Sequence, residues 1–236
     1  MIDFEKGGYQ APAYGEAERS VSDVFQHVYG WMCAGLCLSG VVAWQAFSHG
    51  LCQKLFAGPG MAICIIAEMV LVIALSAAIN KISAAVAGTL FIAYAALNGL
   101  TLSVVFVAYK LELVQRVFFL TAGMFGGFAL YGTFSKCDFS RIGSICLMGV
   151  LGLLLASLVN LFMRSSLLDW ITSVVGVVLF SGLTMYDAKM VRALAENSGR
   201  LDDQTVRKAG VIGALNLYLD FVNMFLYILR LMGRRK

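Results

Sequence analysis

Long apolar runs alternate with short charged clusters along the whole chain, and the runs have nearly one length. Stretches with few or no charges recur at about 28–47, 61–79, 82–109, 117–135, 142–163, 170–186 and 209–229. Each comes close to the roughly 20 residues that cross about 30 Å of hydrocarbon at about 1.5 Å per residue. None has the period-two alternation of a barrel strand, and hydrocarbon offers backbone N–H and C=O groups no partner, so each run is expected to be a helix. The pattern predicts an all-α, polytopic membrane protein: a polar N-terminal tail over 1–26, then seven transmembrane helices within 27–236. The stretch at about 190–208 reads as a polar continuation of the sixth helix that breaks at Asn197-Ser198-Gly199. Gly123/Gly127 form a small-xxx-small pair and Gly149 with Gly152 a second small face, both expected to pack helices closely.

Composition supports the membrane assignment. Of the 236 residues 60% are hydrophobic and 14% charged, with a mean hydropathy of +0.81, whereas a soluble domain carries about a quarter charged residues. The net charge is +4, but the basic residues lie between or just beyond the apolar runs, as topology signals do, so no nucleic-acid partner is expected. The six cysteines form no CxxC pair and read as small apolar residues inside helices. Residues 1–26 hold two basic and five acidic side chains and no cleavage signature, so the first run is expected to be retained as a span. The distribution of Lys and Arg favours the N-terminus inside, narrowly. The tail Arg230, Arg234, Arg235 and Lys236 leaves the side of the C-terminus open.

The informative residues are those that lipid should have excluded. A charge at mid-bilayer costs on the order of 2.5–3.5 kcal/mol on insertion scales, so an intramembrane carboxylate marks a candidate site. Asp220, in LNLYLDFVNMFLYIL, lies far from either end of its run. Asp187, in LTMYDAKM, sits at the inner end of the sixth run, where an ordinary interfacial carboxylate beside Lys189 competes with a functional one. Measured from the inner ends of their runs, the two differ in depth by about 10–15 Å, so pairing them requires tilt or an inner vestibule. The same bookkeeping puts Glu68 in the outer half of the second helix and Arg230 at the outer end of the seventh, a candidate gate ion pair. Lys81 follows the second helix. Asn98, Thr101, Ser103, Asn160, Asn216 and Asn223 read as interhelical hydrogen-bonding groups.

Five segments carry a resemblance: VYGWMCAGL, YAALNGLTLS, TFSKCDFSRIGSICLMGVLGL, LTMYDAKM and ALNLYLDFVNMFLYILRLM. Together they resemble the Bax inhibitor-1, or transmembrane Bax-inhibitor-motif, family, and most closely its short-tailed bacterial members, over essentially 20–236. The resemblance implies a seven-helix fold with the seventh helix central, and a pH-sensitive calcium leak through the bundle of a bacterial inner membrane, an organellar membrane being the other setting. It places a titrating pair on Asp187 and Asp220, and it matches Glu68 and Arg230 to positions suited to an outer gate. A basic residue near the inner end of the second helix can accompany such a pair; here AAINKIS offers Asn80 and then Lys81 as the counter-charge.

Two carboxylates close together in a poorly hydrated site share a proton rather than ionise together. Full ionisation would repel the helices and open a path. Calcium takes six to eight oxygen ligands, so Asp187 and Asp220 would hold it only weakly and mostly hydrated, as a permeant ion; no cofactor is expected. No phosphate-binding loop is present and two acids alone do not specify a substrate site, so neither a pump nor an enzyme is expected. The competing reading is a non-transporting regulator that binds a membrane quality-control protease or a stress or cell-death complex, with residues 1–26, including Tyr9 and Tyr14, as the grasping tail.

Overall fold

The computed structural model describes residues 14–79 and 81–233; Tyr9, Asn80, Arg234, Arg235 and Lys236 lie outside the described residues. The chain forms α1 (Tyr14–Ser48), α2 (Leu51–Phe56), α3 (Gly60–Ala78), α4 (Ala84–Leu102), α5 (Val104–Ala108), α6 (Leu111–Phe134), α7 (Ser140–Met163), α8 (Ser166–Asn197), a 3-10 turn (Ser198–Arg200) and α9 (Asp203–Met232). Seven stretches are long and apolar enough to cross a membrane: α1 from Val21, α3, α4 with α5, α6, α7, α8 and α9. Seven crossings put the start of α1 and the end of α9 on opposite sides. "Inner" below means the side of the N-terminus.

Two helices outrun their apolar stretches. The first helix already begins at Tyr14, within the segment read as a polar tail. The eighth continues ten residues past Asp187, to Asn197. At about 1.5 Å per residue, helices of 35 and 32 residues are longer than the roughly 30 Å of hydrocarbon, so polar side chains at their ends are no hindrance.

Burial is uneven. Of the apolar window of α9, 61% is buried, against 11% for α3 and 17% for α7. The ninth helix packs on α1, α4, α6 and α8, and Leu217, Tyr218 and Met224 on it are fully buried. The opposite extreme is the outward face of α7, where Met148 and Phe162 stand open to lipid.

Small residues set the closest helix approaches, only in part where the spacing suggested. A Cβ on Gly99 of α4 would lie 2.6 Å from the Ser39 carbonyl oxygen of α1, and one on Gly132 of α6 would strike the Met185 backbone of α8. By contrast Gly123, Gly127 and Gly152 have nothing within 4 Å of a built Cβ, whereas at Gly149, as expected, α8 packs closely, the Leu179 side chain lying 2.7 Å from a built Cβ. The expected close packing at Gly123/Gly127 is therefore corrected. Spacing marks one face of a helix, and that face binds another helix only where one stands opposite. The inner end of α6 is held instead by cations of α8: Lys189 donates to the Ser135 carbonyl at 2.5 Å and Arg192 to the Thr133 carbonyl at 2.7 Å. These satisfy carbonyls that a helix C-terminus leaves unpaired.

Candidate functional site

A tight inner turn makes α8 and α9 an antiparallel pair and so fixes which residues face each other. Asp202 caps α9, accepting from the Thr205 N–H at 2.9 Å and the Thr205 hydroxyl at 2.6 Å. From that turn outward, Val191 stands against Gly213, Asp187 and Asn216 line the same cavity, and Thr184, whose hydroxyl donates to the Phe180 carbonyl, neighbours Asp220. On this register the levels of Asp187 and Asp220 differ by about one helical turn, roughly 5 Å. The two carboxyl groups come close enough to act on each other electrostatically. The greater separation expected from sequence came from measuring Asp187 from the end of its apolar run, whereas the helix runs on to Asn197.

Carboxylate oxygens only accept, so two carboxyl groups brought together can hydrogen-bond only while one of them holds a proton. Asp220 is 3% exposed, and its Oδ2 has no hydrogen-bond partner among the described residues. Asp187 is half-buried. It opens into an inner cavity of about 640 Å³ lined by Ile79, Tyr186, Leu194, Lys208 and Asn216 among others. The pair is thus asymmetric, with Asp187 lining the inner cavity and Asp220 behind it in the packed bundle.

Glu68 lies elsewhere and is satisfied differently. Thr101 donates to its Oε1 at 2.7 Å and Asn98 to its Oε2 at 3.2 Å. The Asn98 side-chain Oδ1 in turn accepts from the Tyr218 hydroxyl at 2.8 Å, and Tyr218 meets the Ser39 hydroxyl at 2.7 Å. One polar chain therefore ties α3, α4, α9 and α1 together.

The gate ion pair expected between Glu68 and Arg230 is not formed. The Arg230 guanidinium faces α8, 3.8 Å from Asp169, and lies 5.2 Å from the centre of the Tyr227 ring. Together with Asn160, Arg164 and Thr172 it lines an outer polar cavity of about 610 Å³. Apolar-run arithmetic gives a residue's depth but not its bearing around the bundle, and α3 packs on α4 rather than on the Arg230 side of α9. Lys81 is exposed in the turn after α3 and does not line the inner cavity; the cation that does is Lys208. Of the expected site residues, then, Asp187 and Asp220 meet, while Glu68, Arg230 and Lys81 stand apart. Sequence reading passed over Asp169, which lies just outside its apolar run, and Tyr218 and Thr184, which are ordinary helix residues until a partner helix is known. No group of three or more His, Cys, Asp or Glu able to hold a metal occurs among the described residues.

Comparison with known proteins bears on the whole chain. The family model for the inhibitor of apoptosis-promoting Bax1 matches residues 21–236. The inner membrane protein YbhL of Escherichia coli K12 is 44% identical over 211 residues, covering 89% of this chain and 90% of YbhL. An uncharacterized protein of Borreliella burgdorferi is 40% identical over 89% of this chain and 90% of its own length. An uncharacterized membrane protein of Streptococcus pyogenes is 33% identical over 94% and 96%. Seven apolar helices and a relative in the inner membrane fit a multi-pass protein of a bacterial inner membrane. Matched by the family model over all seven spans, the chain belongs to the Bax inhibitor-1 family.

Proposed function

We propose that the protein is a passive, pH-sensitive cation leak, with calcium as a permeant ion, gated by Asp187 and Asp220. The observation that carries this reading is the position of the buried Asp220 carboxyl beside Asp187, which lines the inner cavity. While a proton is shared, the pair draws α8 and α9 together. As pH rises and the proton leaves, two like charges face each other in a site with little water, and repulsion favours a wider separation.

The remainder of the path supports a closed resting state. Outward from Asp220 on α9 come Met224, fully buried, and Tyr227, whose ring stacks on Phe180 with centroids 5.9 Å apart. A cation arriving from the inner cavity finds the Asp187 carboxylate and the Asn216 amide; calcium's remaining ligand positions would be filled by water, which suits passage rather than storage. The reading contains no chemical step and no partner protein.

The test is flux. Purified protein in liposomes loaded with a calcium dye should leak in a pH-dependent way. Asp220→Asn, which removes the second acid while keeping its shape, should flatten that dependence. Absence of flux at every pH would overturn the reading.

A further inference from the structure

The wall of the bundle has an opening between α1 and α6. A groove of about 820 Å³ runs there, lined mostly by apolar side chains such as Phe25, Met32, Phe118, Ala122 and Phe125, with Phe221 of α9 at its back. A Cβ built on Gly126, which also borders the groove, meets nothing within 4 Å. A second apolar cavity of about 400 Å³ shares Leu36, Phe118 and Phe221 with it and continues toward the outer side. From Val21 at the inner mouth to Leu36 the larger groove follows about four turns of α1, roughly 22 Å. That is enough for one acyl chain of a single leaflet, about 15 Å of hydrocarbon, and the glycerol above it.

Apolar lining alone selects nothing in a membrane, because every lipid tail is as apolar as leucine. Selection has to come from the mouth, and the mouth carries two opposite charges. Arg192 and Glu196, one turn apart on α8, both line the groove. Their Nε–Oε1 separation is 2.6 Å and their side chains are 36% and 52% exposed. Arg192 uses Nε on Glu196 and Nη1 on the Thr133 carbonyl, which leaves further N–H donors of its guanidinium free, while the second Glu196 oxygen is free to accept. The neighbouring cation Lys189 is committed to the Ser135 carbonyl. A guanidinium beside a carboxylate complements a headgroup that is itself a dipole: a phosphate to Arg192, a primary ammonium to Glu196.

We propose that the α1–α6 groove is a binding site for one zwitterionic, amine-bearing glycerophospholipid of the inner leaflet, with its acyl chain against Phe118 and Phe221 and its headgroup across Arg192 and Glu196. The neutral sum at the mouth sets the preference: an anionic headgroup would place its phosphate on Arg192 but leave Glu196 facing negative charge.

The test is native mass spectrometry of the full chain released from detergent after titration with phosphatidylethanolamine, phosphatidylcholine or phosphatidylglycerol. One phosphatidylethanolamine should be retained per chain at concentrations where the other two are not. Gly126→Trp should reduce retention about tenfold by filling the groove. Glu196→Gln should reverse the order and favour phosphatidylglycerol. Equal retention of the three lipids, or an unchanged order in Glu196→Gln, would overturn the proposal. If Gly126→Trp fails to fold, a phosphatidylethanolamine with a photoreactive acyl chain serves with the wild-type chain: labelling of residues 118–134 on α6 supports the site, and labelling spread over the exposed face of α7 refutes it.

Discussion

Glu68 and Asp220 are both acids inside an apolar bundle, yet the chain handles them in opposite ways. Glu68 receives two neutral donors, the Asn98 amide and the Thr101 hydroxyl, one on each oxygen. Asp220 faces a second acid and keeps one oxygen without a hydrogen-bond partner. Glu68 is half-buried and Asp220 fully buried, and the kind of partner differs as well. Neutral donors stabilise a carboxylate in place and make it a structural clasp. A second carboxylate gives the site two arrangements, proton shared or proton lost, and a group with two arrangements can act as a switch.

The largest effects should come from exchanging these roles. A titration crossed by about one pH unit changes the deprotonated population by up to roughly tenfold. Asp220→Asn and Asp187→Asn should each collapse the pH dependence of calcium flux, while Glu68→Gln, which keeps an acceptor for Thr101, should leave it intact. Loss of pH dependence in Glu68→Gln, with Asp220→Asn unaffected, would reverse the comparison. Stability should separate the sites the other way. Asn98→Ala strips Glu68 of one of its two donors and leaves the Tyr218 hydroxyl with Ser39 alone; losing these hydrogen bonds should cost about 1–3 kcal/mol, visible as a lower Tm in detergent. Tyr218→Phe, which removes the hydroxyl that donates to Asn98, should cost less in the Asn98→Ala background than alone, because the two share one hydrogen bond.

How much of this was legible in the sequence follows from what each signal measures. Seven apolar runs gave seven spans because hydrocarbon thickness acts on length alone. The mid-run position of Asp220 marked it as exceptional for the same reason. Its contact with Asp187 follows from the register of α8 on α9, which the polar end of α8 concealed; the run stopped at residue 186, but the helix continues to Asn197. Glu68 and Arg230 were matched by depth, yet they face α4 and α8 respectively. Bearing around a bundle is a property of neighbours, which one sequence does not encode locally. The glycines repeat the lesson. Gly99 and Gly132 touch a facing backbone, while Gly123 and Gly127, with the clearer motif, meet open space.

That contrast gives a smaller effect of definite sign. Gly99→Val forces side-chain atoms into the Ser39 backbone and should destabilise by about 1–3 kcal/mol, as overpacking does. Gly123→Ala adds a methyl where no atom stands within 4 Å and should stay within about 0.5 kcal/mol of wild type, as surface changes do. Smaller again is the outer ion pair. Arg230 and Asp169 are about one-third exposed and 3.8 Å apart, so Asp169→Asn should cost about 0–1 kcal/mol, read by the same melting experiment.

A third kind of carboxylate completes the comparison, one in water with neutral donors. The Thr205 hydroxyl and N–H hold the Asp202 carboxyl below the usual carboxylate range. The Ser140 side chain and N–H do the same for Asp138 at the start of α7. A carboxyl whose folded value is depressed stabilises the folded state fully above its unfolded value and loses that contribution as pH falls through the folded one. Acidification below the ordinary aspartate range should therefore loosen the first turns of α9 and α7, seen as faster amide exchange at Thr205 and Ser140. Asp202→Asn, which retains a capping oxygen but does not titrate, should make the Thr205 amide insensitive to that acidification while leaving Ser140 unchanged. The direction is opposite to that proposed for the buried pair, where it is rising pH that separates the helices. If acid and base loosened the same end of α9, the assignment of its turn to Asp202 and of its mid-membrane contact to Asp220 as independent elements would fail.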